Sequence, residues 1–296
     1  MNLLLLTFGE NIHHHQQAIF SILGFLRDPC IGRVLVVTDR PECYLWLLSS
    51  SPLSAIVEVM SVSPEQLRGW QGPWQFFWRV KIEAVALAVR RYPGQHLLYV
   101  DSDTFLATSL AGMRNQLDTG TAFMHCLEDR LGDRHNRTLI RMCQSLAGQT
   151  VAGITLSEQH AMWNAGVIAL PATKAAALVA LTLRLCDDMC DTDCPRRLIE
   201  QFAFSVALQQ AEALLPCDQD IAHYWGNKDG WNVMIASFLA ESRLRNESVA
   251  QATARVASLD WQKLPLEYRE HGMVISAKRW LEALFRPKKL RFFKPG

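Results

Sequence analysis

The chain has 296 residues, 49% hydrophobic and 20% charged, a composition ordinary for a soluble globular protein and long enough for one large α/β domain or two small ones. It contains no run of the roughly 18–20 consecutive apolar residues that a transmembrane helix needs. The net charge of +1 is unevenly spread: seven basic residues (Lys278, Arg279, Arg286, Lys288, Lys289, Arg291, Lys294) against Glu282 give the last nineteen positions +6 and the remainder −5. An acidic body argues against nucleic-acid binding.

Residues 2–8 form an apolar run that reads as a first strand; it is too short and too poor in basic residues for a signal peptide. Without export, the eight cysteines are expected to be reduced thiols in a cytosolic protein. Residues 11–26 place Ala18, Ile19, Ile22, Leu23 and Leu26 at a helical period that Asp28-Pro29 ends. Strands are predicted at 33–39 and 55–60, a helix at 78–91 and a strand at 95–100. This alternation predicts a doubly wound, mostly parallel sheet.

Further on, the spacing predicts a strand at 121–126, a helical piece at 138–146, a strand containing a turn at 161–170, and helices at 174–189 and 198–213. Residues beyond about 232 read as helical and charged, so the expected organisation is a catalytic domain over 1–231 and a helical C-terminal appendage over 232–296.

The most informative stretch is Leu97–Leu106, where an apolar run stops on Asp101-Ser102-Asp103 and resumes apolar. On an extended chain the carboxylates of Asp101 and Asp103 face one way, suiting a hard divalent cation and, through it, a diphosphate. Chance Asp-x-Asp triplets in solvated turns are common; here the pair ends a buried strand, where open α/β sheets bind ligands.

Three further motifs have chemistry of the same kind. In His223-x-x-Gly226-x-Lys228, imidazole is an acceptable ligand for Mn²⁺, Gly226 allows close backbone approach and Lys228 is a point charge suited to phosphate. The alternative is a surface aromatic loop. Asn164-Ala-Gly166-Val marks either a tight turn or an amide placed to hydrogen-bond a sugar hydroxyl. Glu200-Gln201 is either an N-terminal dipole complement or a carboxylate and amide that hold a sugar.

In that order, the four motifs resemble the GT-A fold nucleotide-sugar glycosyltransferases, most of all the retaining family that includes glycogenin and the bacterial lipopolysaccharide galactosyltransferases. The resemblance covers roughly residues 2–231. It implies a nucleoside-diphosphate-sugar fold and sugar transfer from a nucleotide donor, UDP-linked, to a carbohydrate or glycolipid acceptor. It also implies a Mn²⁺ or Mg²⁺ ion held by Asp101, Asp103 and His223, with Gly226 and Lys228 at the diphosphate. Thr7 and Asp39 would lie near the nucleoside. Arg79, or alternatively Lys81, would meet the donor sugar or phosphate, and Asn164, Glu200 and Gln201 would sit at the sugar. The family usually has Asp-Gln where this chain has Glu200-Gln201, and Lys-Pro-Trp where it has Lys228-Asp-Gly-Trp231.

Two other readings compete. A nucleotidyltransferase would carry a basic Gly-rich loop after the first strand, whereas residues 9–15 hold no Lys or Arg. A non-catalytic nucleotide-sugar-binding protein would not need the metal set. Cys186, Cys190 and Cys194 recur at helical spacing without a fourth soft ligand and read as plain helix and turn residues. His13, His14 and His15 diverge on a helix and cannot chelate one ion. The aromatic cluster Trp70, Trp74, Phe76, Phe77 and Trp78 is either a flap over the ligand or a core plug. The basic, aromatic segment 277–293 suits an anionic membrane surface, hence a cytoplasmic protein peripheral on the membrane.

Overall fold

A computed structural model describes residues 1–49, 55–133 and 135–268, together with positions 280, 281, 284 and 285. The chain begins β1 (Asn2–Thr7), α1 (Ile12–Phe25), β2 (Arg33–Thr38), α2 (Leu45–Leu48), β3 (Val57–Ser61), α3 (Pro64–Trp70), α4 (Arg79–Arg91) and β4 (Leu97–Val100). It continues through β5 (Thr104–Leu106), α5 (Ala111–Asp118), β6 (Ala122–Met124), β7 (Leu127–Arg130), α6 (Arg137–Leu146), β8 (Thr150–Val151), β9 (Ile154–Thr155), β10 (Ala161–Trp163) and β11 (Val167–Leu170). The remaining elements are α7 (Ala175–Cys190), α8 (Ile199–Leu208), β12 (Leu214–Pro216), β13 (Ile221–His223), α9 (Lys228–Leu244) and α10 (Val249–Ala257).

Seven strands form one sheet in the order β12-β6-β11-β4-β1-β2-β3. All neighbours are parallel except β11, which runs antiparallel to both β4 and β6. Side chains alternate across the strands with period two and divide the core into two layers. Leu4, Leu35, Leu97, Tyr99 and Ile168 pack against α4, α6, α7 and α8. Leu3, Leu5, Val36, Val100 and Val167 pack against α1, α5, α9 and α10. Strands buried on both faces are why β1, β2 and β4 read as unbroken apolar runs. Helix α1 begins where the Asn11 side chain accepts from the His13 amide, a regular N-cap.

The predicted elements are present, shifted by a residue or two at their ends, with one substantial difference. The helix predicted over 198–213 stops at Leu208, and the chain turns to lay β12 parallel to β6, with the Ala122 amide donating to the Ala213 carbonyl at 2.8 Å. Pairing at the sheet edge overrides local helix propensity here. The expected division at residue 231 falls inside α9, which packs with α10 onto α1. Most of the basic tail, including every basic residue from Lys278 onward, lies outside the described residues. Among the described residues no helix is long and apolar enough to cross a membrane.

Candidate active site

The site forms at the carboxyl ends of β1 and β4, beside the point where the sheet order reverses. Asp101 follows β4 directly, its amide donating to the Gly166 carbonyl at 2.7 Å. Asp103 precedes β5, and β5 pairs antiparallel with β13 so that His223 lies opposite Thr104. That register sets the imidazole beside Asp103, with His223 Nε2 3.3 Å from Asp103 Oδ2. On the other side Lys228, the first residue of α9, brings its Nζ to 2.9 Å from the same oxygen.

Ligand atoms from Asp101, Asp103 and His223 all fall within 4.8 Å of one another. Asp103 and His223 side chains are each only 5% exposed. Asp103 Oδ2 and His223 Nδ1 are buried without a well-aligned hydrogen bond, so the neighbours of that carboxylate oxygen satisfy it by charge rather than by direction. Burial alone would raise the Asp103 pKa; His223 and Lys228 outweigh it and hold the carboxyl well below its usual range. Two carboxylates and one imidazole, two of their polar atoms buried without a hydrogen-bond partner, fit a Mn²⁺ or Mg²⁺ ion.

A second charge cluster adjoins the first. Lys81 Nζ, on α4, lies 3.3 Å from Asp101 Oδ1 and 3.2 Å from Glu200 Oε1 and donates to the Ala165 carbonyl at 3.2 Å. Burial disfavours the ammonium, but Asp101 and Glu200 outweigh it and hold the Lys81 pKa above the ordinary lysine value. Burial raises the Glu200 carboxyl despite the opposing pull of Lys81. Tyr99 donates to Asp101 Oδ1 at 2.6 Å, fixing the carboxylate from beneath.

Lys81, rather than Arg79, therefore stands at the site. Arg79 is turned away, with Nε 2.7 Å from Asp187 Oδ1 and Nη1 2.8 Å from Glu83 Oε1. The two residues are two positions apart on one helix and so point about 200° apart, which sends one into the site and the other into the seam with α7.

Two cavities meet at Trp78, Lys81 and Asp101. The larger, about 770 Å³ when the space open to solvent is counted, is lined among others by Thr7, Phe8, His14, Phe77, Ser102, Asp103 and Lys228. The smaller, about 620 Å³, is lined by Asn164, Gly166, Arg197, Glu200, Gln201 and His223.

Other expected residues take supporting positions. Asp39 accepts from the Gly9 amide through both oxygens, at 3.0 and 3.2 Å, and so braces the loop after β1 instead of lining the cavity. Thr7 shares a 2.5 Å hydrogen bond with Tyr44. Gly226 does not reach the cavity of Asp103: its carbonyl accepts from the Tyr268 amide at 3.1 Å, and a Cβ there would meet Glu267 Cγ at 2.8 Å. Ser102 donates to Gln17 Oε1 at 3.2 Å. The aromatic cluster divides between its two readings: Phe76 is buried in the core, whereas Phe77 and Trp78 are exposed and line the larger cavity.

The sequence gives no clear signal for Glu128, an exposed residue on the four-residue strand β7. Its Oε1 accepts from Asn164 Nδ2 at 2.7 Å and its Oε2 from Gln201 Nε2 at 2.8 Å. One carboxylate thus orients both amides. The Asn164 carbonyl oxygen is also occupied, accepting from the Gly166 amide at 2.8 Å. Gly166 itself is required by packing, because a Cβ there would lie 2.3 Å from His223 Cε1.

The arrangement is the GT-A fold, a mostly parallel seven-stranded sheet with helices on both faces and an acidic cluster at the strand ends. A galactosyltransferase, LgtC, solved in complex with donor and acceptor sugar analogues, is similar with a TM-score of 0.53 and 10% identity over 88% of this chain and 98% of that one. An active-site mutant of LgtC aligns at a TM-score of 0.47 and 13% identity over 73% of this chain and 72% of that one. Neither a family model nor a curated protein matches the sequence.

Proposed function

We propose that the protein is a metal-dependent glycosyltransferase that moves a hexose from a nucleoside-diphosphate sugar, UDP-linked, to a hydroxyl of a carbohydrate or glycolipid acceptor with retention of anomeric configuration. The observation that carries this reading is the convergence of Asp101, Asp103 and His223 in a GT-A fold. A bound Mn²⁺ or Mg²⁺ would neutralise charge developing on the departing diphosphate.

The residues divide the remaining work. Lys228, paired with Asp103 but with its side chain 47% exposed, lines the larger cavity where it can also meet a phosphate. Lys81 and Glu200 lie between the cavities as a buried pair, the cation for the donor's phosphate or sugar oxygens and the carboxylate for positive charge at the anomeric carbon. Asn164 and Gln201, oriented by Glu128, offer their remaining amide hydrogens to sugar hydroxyls. In the transfer, the bond from the anomeric carbon to the diphosphate oxygen breaks and its electron pair leaves on the diphosphate. The acceptor oxygen bonds to that carbon, and its proton passes to the leaving oxygen.

A membrane-peripheral location in the cytoplasm completes the proposal, and lipid-linked or lipopolysaccharide acceptors suit it. Trp280, Leu281, Leu284 and Phe285 are all exposed, and the Phe285 amide donates to the Leu281 carbonyl at 2.9 Å, so Leu281 and Phe285 stand one helical turn apart. Sedimentation with anionic liposomes should carry down the full chain and leave behind a chain ending at residue 276.

Incubation with UDP-, GDP- and CMP-sugars, with and without Mn²⁺, tests the central reading. Slow Mn²⁺-dependent release of nucleoside diphosphate from one donor supports transfer. Exchange of pyrophosphate into the nucleotide sugar would favour a nucleotidyltransferase, and binding without turnover a non-catalytic protein.

A further inference from the structure

A second imidazole is buried beside the candidate metal ligands. His125 follows β6 directly, and its ring stands 5.3 Å from that of His223 between centroids, with the two planes at 88°. Both residues are only 8% exposed. The His125 backbone is held from two sides, its amide donating to the Asn164 carbonyl at 3.2 Å and its carbonyl accepting from the Cys217 amide at 2.9 Å. Its Nε2 lies 3.1 Å from the Ile221 carbonyl, at the start of the three-residue strand β13 that ends in His223. One ring therefore ties down the strand and stands against the ligand that the strand carries.

The hydrogen-bond partners assign the hydrogens. A carbonyl oxygen only accepts, so His125 Nε2 carries hydrogen and the neutral ring keeps a lone pair on Nδ1. That Nδ1 is buried without a partner. His223 is its complement. The His223 Nε2 is turned to Asp103 Oδ2, at 3.3 Å, and ligation of an ion through Nε2 leaves the hydrogen on Nδ1. His223 Nδ1 is also buried without a partner. The Asn164 oxygen, on the Gly166 side of that ring, already accepts from the Gly166 amide. A buried acceptor lacking a donor thus stands beside a buried donor lacking an acceptor, and each is costly to leave unpaired. The separation of the rings is close to two imidazole radii plus one hydrogen-bond length.

We propose that His125 is the positioning residue of the metal ligand His223. After a small turn of one ring, its Nδ1 accepts the Nδ1 hydrogen of His223 and so holds His223 Nε2 toward Asp101 and Asp103. This rests on the metal-site reading above and adds to it the outer partner that orients a ligating histidine.

Nitrogen NMR of full-length, histidine-labelled protein holding Mg²⁺ and UDP reads the tautomers, with His125→Gln and His223→Ala assigning the two rings. His125 should carry its hydrogen on Nε2 and His223 on Nδ1. Mn²⁺ titration in the presence of UDP then compares two variants. His125→Phe fills the space without an acceptor and should lose about 10–100-fold in Mn²⁺ affinity, whereas His125→Gln, whose amide can donate to Ile221 and accept from His223, should recover most of that loss. A purely space-filling role would be kept by Phe. Thermal unfolding verifies that the variants are folded; should His125→Phe not fold, the wild-type tautomers decide. A hydrogen on His125 Nδ1, or wild-type Mn²⁺ affinity in folded His125→Phe, overturns the proposal. Failure of the wild type to bind Mn²⁺ would count against the metal reading, while the His125 tautomer, read with and without the ion, tests the pairing separately.

Discussion

His223 Nε2 stands 3.3 Å from Asp103 Oδ2 because β13 pairs with β5 in a register that sets His223 opposite Thr104. A short antiparallel ribbon, separate from the main sheet, thus assembles two of the three candidate metal ligands. Residues that depend on this ribbon should affect metal affinity without touching the metal themselves.

Gly166 is the sharpest case. Replacing it by Ala places a methyl 2.3 Å from His223 Cε1, a separation that packing does not tolerate. The ring must move or the backbone must yield. Gly166→Ala should weaken Mn²⁺ binding by about 10–100-fold, the cost typical of disturbing a ligand's support, and lower stability by about 1–3 kcal/mol. Calorimetric Mn²⁺ titration alongside denaturant unfolding measures both. Wild-type affinity in this variant would mean that His223 is not a ligand.

Lys81 and Arg79 should part company on mutation. Lys81→Met leaves Asp101 and Glu200 facing each other without their shared cation, and loss of one partner from a buried charge cluster costs about 3–5 kcal/mol. Removing the second carboxylate as well, in Lys81→Met/Glu200→Gln, should recover part of that loss. Donor turnover should fall sharply in Lys81→Met. Arg79→Met breaks its pairs with Asp187 and Glu83 and should reduce stability with a much smaller effect on turnover. The reverse pattern would restore Arg79 to the site.

Asp28 supplies a pH signature away from the site. Its carboxylate accepts from the Cys30 and Leu110 amides, each at 2.8 Å, tying the end of α1 to the start of α5. Burial alone would raise its pKa, but the hydrogen bonds from Leu110 and Cys30 outweigh it and depress the value from 3.8. A depressed folded-state pKa contributes stability that is fully present above the unfolded pKa and is lost as pH falls through the folded one. Asp28→Asn should therefore be destabilised near neutral pH, and its melting temperature should fall less steeply than the wild type's as pH drops below about 4. Parallel acid limbs for the two proteins would contradict this.

The larger elements were legible because strands buried on both faces and amphipathic helices leave strong periodic signals, as in β1, α1, β4 and α4. The three-residue strands β5 and β13 leave none, so the pairing that joins Asp103 to His223 came from the motifs rather than from the pattern. The triplet Asp101-Ser102-Asp103 was readable because two carboxylates ending an apolar strand are chemically costly. Whether Arg79 or Lys81 faces the site depends on helix phase, which two basic residues two positions apart do not by themselves reveal. Glu128 was invisible for another reason: its partners Asn164 and Gln201 are distant in sequence, and nothing on an exposed four-residue strand marks it out. The contacts of Gly226 with Glu267 and Tyr268 were not legible because that segment lies some forty residues further along the chain.

The trio of ligands is tested most directly by Mn²⁺ binding in the presence of UDP, followed by electron paramagnetic resonance on wild type, Asp103→Asn and His223→Ala. Wild-type protein should bind one Mn²⁺ whose signal changes when UDP is added, and each variant should lose at least about tenfold in affinity while keeping the wild-type fold by circular dichroism. Folded variants that bind Mn²⁺ as tightly as the wild type would contradict the account.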